Sequence, residues 1–276
     1  MLTMALALTL LDAALACEPP ELEVYDSQPR DGDTASTAAV VRVYFGGDNS
    51  DLSEEDSGLS VTTNGEAVSG SWKQVDRYVG DYTFQSVMTF TPEVPFADGA
   101  QVDVAVQIDH IDWSMTFTAT EREPTQVTEA PIIERFRVRH DDNKWGGMCS
   151  IGEEERYAVL QLTAAAADPN GALALYKVDS DWSGEPSGEP FLISPGVQQG
   201  TQELTFWYAN DDFTTRASED CMVLVQLDEA GNASEASEVD CPRRVRVMCA
   251  AASAEASWVL IALGVGLAHR RRRDQK

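Results

Sequence analysis

The sequence predicts an all-β chain built as two tandem β-sandwich modules, and three observations carry that prediction. Short runs rich in Val, Ile, Thr, Tyr and Phe recur along the chain, each bounded by clusters of Gly, Pro, Asn and Asp. No internal segment repeats apolar residues at the 3.6-residue period of a long amphipathic helix. Near the middle, "TEREPTQVTEAP" interrupts the strand signals with polar residues, and Pro124 and Pro131 stiffen it as a linker. A chain of 276 residues, 43% hydrophobic and 24% charged, is long enough for two globular modules that each bury a core.

The first module covers residues 22–120. "VVRVYF", "VMTFTP" and "VDVAVQI" each carry apolar or β-branched residues spaced as in strands. "SQPRDGDTAS" supplies a Pro-x-x-Gly turn ahead of the first of them. "LSVTTNGEAVSGSW" folds as a hairpin about Asn64-Gly65, and "MTFTPEVPFADGAQVDVAV" joins two strands through a proline-rich corner. This order of signals resembles the bacterial Ig-like family of S-layer and other envelope proteins, whose domains end in a similar Phe-Thr-Pro then Pro-then-Gly pattern. The departure is "FGGDNSDLSEEDSG", where the family commonly has a shorter polar stretch.

After a linker over residues 121–131, the second module runs over 132–248. Seven strands are expected there: "IIERFRVRH", "RYAVLQLTA", "ALALYKVDS", "EPFLIS", "TQELTFWYA", "CMVLVQLD" and "VDCPRRVRV". The stretch "CMVLVQLDEAGNASEASEVDC" resembles the last hairpin of fibronectin type III-like domains, with Asp228, Ala230-Gly231-Asn232 and Ser234 at its turn. A hairpin centred near Gly231 sets Cys221 opposite Cys241, where a non-hydrogen-bonded antiparallel pair brings Cβ atoms within disulfide reach. A bridge from Cys149 to Cys221 is the alternative, and with Cys17 and Cys249 assigned to processing the first pairing leaves Cys149 over.

The two ends predict export. Residues 1–16 run apolar to a small-x-small site, Ala14-Leu15-Ala16, before Cys17, the shape of a secretory signal, although Asp12 interrupts it and no basic residue precedes it. Cys17 at that place also suits acylation, with Ala14 where a lipobox has Leu. Residues 249–276 join Cys249, a small-residue spacer, the apolar run from Trp258 to Ala268 and Arg270 to Arg273. That apolar run is short for a bilayer core of about 20 helical residues, and the arginines belong on the cytoplasmic side. The four parts in this order resemble the myxobacterial C-terminal sorting tail, which implies processing at Cys249 and display at the cell surface. A plain single-pass membrane anchor is the alternative.

Charge narrows the partners. The formal net charge is −26, and because the tail carries +3, the remainder sums to −29. Such a surface repels phosphate backbones, so no nucleic-acid partner is expected. The expected partners are the export and C-terminal processing machinery, the membrane through the tail, and an extracellular protein or glycan.

The search for chemistry returns little. His110 in "IDHIDW" and His140 in "RHDDNKW" stand beside aspartates without a compact set of zinc ligands, and His269 lies in the tail. There is no Gly-x-Ser-x-Gly elbow and no glycine-rich phosphate loop. No catalytic, cofactor or metal residue is therefore assigned. Calcium is the one cation kept open, at Asp48, Asn49, Asp51, Glu54, Glu55 and Asp56, or at Asp141, Asp142 and Asn143, without EF-hand spacing. The expected function is non-catalytic: adhesion, ligand binding or envelope structure. The rivals are an accessory module of extracellular degradation, for which Trp182, Trp207 and Tyr208 would have to form an exposed face, and a calcium-dependent hydrolase.

Overall fold

The computed structural model describes residues 21–47, 52, 58–80, 83–108, 110–141, 155–197, 200–208 and 221–244, and every regular element among them is a β-strand. The signal segment, Cys17, Cys149, His140's side chain, the tail from Cys249 and the acidic stretches proposed for calcium, apart from the backbone of Asp141, lie outside the described residues.

In the first module the strands are β1 (Glu23–Gln28), β2 (Thr34–Ser36), β3 (Val41–Gly47), β4 (Leu59–Thr63), β5 (Glu66–Ala67), β6 (Gly70–Gly80), β7 (Thr83–Pro92), β8 (Gln101–Ile108) and β9 (Ile111–Thr120). They form two sheets, ordered β1-β3-β7-β6 and β2-β9-β8-β4-β5, with β2 parallel to β9. This is an Ig-like sandwich, as the resemblance implied. Strand β8 shows why the alternating pattern works: Val102, Val104, Val106 and Ile108 are buried, whereas Gln101, Asp103 and Gln107 are exposed. Those four residues meet Val41, Val43, Phe45, Met88 and Phe90 from the facing sheet, beside Phe117 on the neighbouring strand β9. The β4–β5 turn uses Asn64 and Gly65 at φ 54° and 80°, the left-handed pair that a tight two-residue hairpin requires.

The second module holds β10 (Ile132–Asp141), β11 (Glu155–Thr163), β12 (Asp168–Val178), β13 (Leu192–Val197), β14 (Thr201–Tyr208), β15 (Cys221–Leu227) and β16 (Arg243–Arg244). Its sheets are ordered β14-β11-β10-β16 and β13-β12-β15. Phe136, Leu160, Leu162, Leu173, Leu175, Phe206, Met222 and Leu224 fill the space between them. Cys221 and Cys241 are joined by a disulfide with Cα atoms 4.1 Å apart, in the register expected from a hairpin about Gly231.

The return arm of that hairpin is not the continuous strand that "VDCPRRVRV" suggested. Residues 233–241 follow β15 irregularly, touching it at the Met222–Asp240 and Leu227–Ala233 bridges. Two serines complete the ladder: the hydroxyls of Ser234 and Ser237 accept the backbone N–H groups of Gln226 and Leu224 at 3.0 and 2.9 Å. Their own N–H groups return to the carbonyls of the same two residues. Three residues of the arm thus match two of β15, as in a bulge. Beyond Pro242, which has no N–H to give, the chain leaves for the other sheet, where β16 pairs parallel to β10.

Both sandwiches belong to one compact unit that ends at Arg244. Strand β3 is buried on both faces, because Val41, Val43 and Phe45 face their own core while Arg42 and Tyr44 face away from it toward the second sandwich. Tyr44, Val75 and Val87 from the outer face of the β1-β3-β7-β6 sheet pack against Ala172, Ile193 and Leu227 from the outer face of the β13-β12-β15 sheet. A third apolar core therefore joins the modules.

Candidate functional site at the junction of the sandwiches

Most of the buried polar groups among the described residues gather where the two sandwiches meet, and the local sequence explains why. "DPNG" opens β12 as an irregular stretch of strand and "DEAGN" turns after β15; both direct backbone carbonyls and short polar side chains toward the first module. The Arg42 guanidinium, 1% exposed, donates to the carbonyls of Asn170 and Asp228, each at 3.3 Å. The Gln28 amide donates to the carbonyls of Gly171 and Pro169 and accepts the Tyr44 hydroxyl at 2.6 Å. Burial raises the Tyr44 phenol well above its ordinary value, so it stays a neutral donor.

A second group of contacts centres on Glu229. Its carboxylate accepts Arg122 Nη2 at 2.6 Å and the Ser36 N–H at 3.2 Å, and its backbone carbonyl accepts the Val40 N–H at 2.8 Å. The Asn170 amide donates to the carbonyl of Thr34 at 3.4 Å. Asp228 turns back on its own loop, accepting the N–H groups of Ala230 and Asn232 and the Asn232 amide. Asp168 accepts the Asn170 N–H at 3.0 Å, and the N–H groups of Glu229 and Gly171 also stabilise its charge. Gly171 makes that approach possible: a Cβ there would stand 2.6 Å from the Leu227 carbonyl oxygen and 3.0 Å from the Asp168 Cβ.

The electrostatics are dominated by desolvation. Burial lowers the pKa of Arg42, opposed by Tyr44, Asp228 and Asp168, but a guanidinium keeps its proton across the biological range. Burial also raises the carboxyls of Asp168 and Glu229 above their ordinary values; neighbouring N–H groups oppose the rise at both sites, and Arg122 opposes it at Glu229. Three oxygens here, Asp168 Oδ2, Asn170 Oδ1 and Glu229 Oε1, are buried without a hydrogen-bond partner. Chemically the arrangement grips the second sandwich by the start of β12 and by the turn after β15. It offers no nucleophile paired with a base.

Beside the junction lies a cleft of about 700 Å³ with Thr128 of the connector, Tyr176, Val225, Glu185, Pro186 and Glu235 in its walls. The connector is not a free spacer: Val127 is buried, Arg122 is held by Glu229, and the Thr128 carbonyl accepts the Glu235 N–H at 3.2 Å.

Of the sequence-predicted residues, Cys221 and Cys241 are brought together in the disulfide, and His110 and Trp182 are the others whose side chains are described. His110 is exposed at the β8–β9 turn, its Nε2 3.1 Å from the Leu22 carbonyl. Trp182 is half-buried in the segment between β12 and β13, and the side chains of Trp207 and Tyr208 lie outside the described residues. Among the described residues, no group of three or more His, Cys, Asp or Glu is placed to hold a metal. The junction residues escaped the sequence reasoning, and the one available signal was an arginine in the middle of the apolar run "VVRVYF".

No family model and no curated protein matches the chain. Among solved structures it is similar to a crystal structure of domains from titin, at 10% identity over 82% of this chain and 66% of that one, just under two thirds of its length, with a TM-score of 0.20. A likeness that loose carries no weight, and the all-β Ig-like fold rests on the strand order and cores described above.

Proposed function

We propose that the protein is a non-catalytic cell-surface or envelope protein whose two sandwiches act as one stiff presenting unit for adhesion or ligand binding. The observation that supports this most directly is the junction itself: an apolar core capped by the Arg42, Gln28 and Glu229 contacts, which fixes the modules against each other. Loops and clefts on such a scaffold are held in place, which lowers the ordering cost of binding a partner. Export by the N-terminal segment, processing or anchoring at Cys249, and an extracellular protein or glycan ligand complete the proposal. They draw on the two end segments of the sequence and on its acidic charge.

The test is protease shaving of intact cells combined with deletion of residues 249–276. Loss of the protein from the cell surface and its release on deletion supports the proposal. Full-length protein in the cytosol, with Met1 retained, refutes it. Release that fails on deletion, with surface exposure kept, moves the anchor to Cys17.

A further inference from the structure

We infer that the cleft beside the junction binds a lysine- or arginine-bearing peptide segment of an extracellular partner, with the apolar stems of the basic residues against Tyr176, Pro186 and Ala236 and their charges met by Glu185 and Glu235. This rests on the ligand-binding reading above and gives it a place and a chemistry.

The floor of the cleft comes from the outer face of the β13-β12-β15 sheet. Side chains alternate along a strand, so with Leu175 and Leu224 turned into the second core, Tyr176 and Val225 fall on the opposite face. The same face carries Ala172 and Leu227 into the junction, where it is covered. At the cleft its Tyr176 ring is only half-buried. The walls are held by the fold. The Ser234 hydroxyl accepts the Gln226 N–H at 3.0 Å, and the Glu235 N–H donates to the Thr128 carbonyl at 3.2 Å, which ties the return arm to both β15 and the connector. A cleft of about 700 Å³ has the size of a ligand site, and walls set in advance lower the ordering cost of filling it.

Charge selects the occupant. Glu185 and Glu235 are exposed and form no ion pair among the described residues, and no lysine, arginine or histidine is among the residues that line the cleft. An anion would meet both carboxylates on a body that sums to −29 before its tail. A cation gains from both, and its N–H groups or its charge can also use the tyrosine, whose ring face attracts cations. Burial alone raises the Tyr176 phenol above its ordinary value, so its hydroxyl stays neutral, and it has no hydrogen-bond partner among the described residues. Lysine and arginine suit the remainder of the lining, because their stems pack on apolar surface while their heads stay toward water. A neutral sugar finds one half-buried ring and no tryptophan in this lining.

The test is an amide NMR titration of the purified full chain with tetralysine. It is run at about 0.15 M salt, where exposed charges more than about 8 Å apart are largely screened. Tetralysine is expected to shift the amides of Tyr176, Ala233 and Ala236, and its ε-acetylated form is expected to leave them in place. Glu185→Gln/Glu235→Gln should weaken binding roughly three- to thirtyfold, the worth of two partly exposed ion pairs. The matched variant Glu66→Gln/Glu93→Gln, at exposed positions of the first sandwich, should bind within about twofold of wild type. Equal losses in the two variants would assign the attraction to the acidic surface as a whole and overturn the inference, as would shifts confined to other residues or no binding. Cellohexaose shifting those amides where tetralysine does not would turn the cleft over to a glycan and overturn it too. None of these outcomes bears on surface display, which stands or falls on the shaving of intact cells.

Discussion

Replacing Arg42 with methionine tests how much of the fold depends on the junction. The substitution keeps an apolar stem of similar length beside Tyr44 but strips the donors from the carbonyls of Asn170 and Asp228, both buried contacts. An orphaned buried acceptor costs about 1–3 kcal/mol. Asp168 and Asp228 also lose the cation that opposes them. Together these place Arg42→Met near the 3–5 kcal/mol typical of breaking one partner out of a buried charged pair. At about 2–4 °C per kcal/mol for a unit of this size, the melting temperature should fall by roughly 6–20 °C. Arg30→Ala is the control, because Arg30 is 59% exposed and its pair with Asp26 lies at the surface, where such pairs contribute about 1 kcal/mol or less. Scanning calorimetry checks both numbers and the cooperativity: wild type should melt in one transition and Arg42→Met in two, as the modules uncouple. A loss below about 1 kcal/mol for Arg42→Met, or two transitions in wild type, would refute the reasoning.

Three further outcomes are expected. Gly171→Ala should cost about 1–3 kcal/mol in urea melts, since its Cβ cannot stand 2.6 Å from the Leu227 carbonyl oxygen without moving backbone. Removing the Cys221–Cys241 bridge, which spans 20 residues, should cost roughly 3 kcal/mol, and non-reducing peptide mapping that links Cys149 to Cys221 instead would contradict the arm's register. Ser237→Ala should cost about 1–3 kcal/mol by orphaning the buried Leu224 N–H, measurable as faster amide exchange at Leu224.

What the sequence made legible is what local chemistry dictates. The valines of β8 fall on one face because side chains alternate along a strand, and Asn64-Gly65 marks a tight turn because both residues accept positive φ. Cys221 faces Cys241 because both lie ten residues from Gly231, the off-centre turn at Leu227–Ala233 being made up by the extra residues of the irregular return arm. The return arm was only half legible: its serines look like ordinary turn residues until the Leu224 and Gln226 N–H groups are seen to need them. The junction left one trace in the sequence, Arg42 inside an apolar run. A period-two pattern says that Arg42 and Tyr44 point away from their own core, and solvent is the default partner on that side. Their actual partners lie 128 and 186 residues away for Arg42, a separation at which no local pattern speaks. Val127 is a similar case, a lone apolar residue in a polar stretch that is buried in the structure.

The Val40 amide measures the central claim most directly, because its hydrogen bond runs across the junction to the Glu229 carbonyl at 2.8 Å. If the two sandwiches form one stiff unit, native-state hydrogen exchange at Val40 should be as slow as at the core amides of β3, opening only when the whole unit unfolds. Exchange at Val40 as fast as in an exposed loop, with β3 still protected, would mean that the modules part freely and that the junction does not fix them.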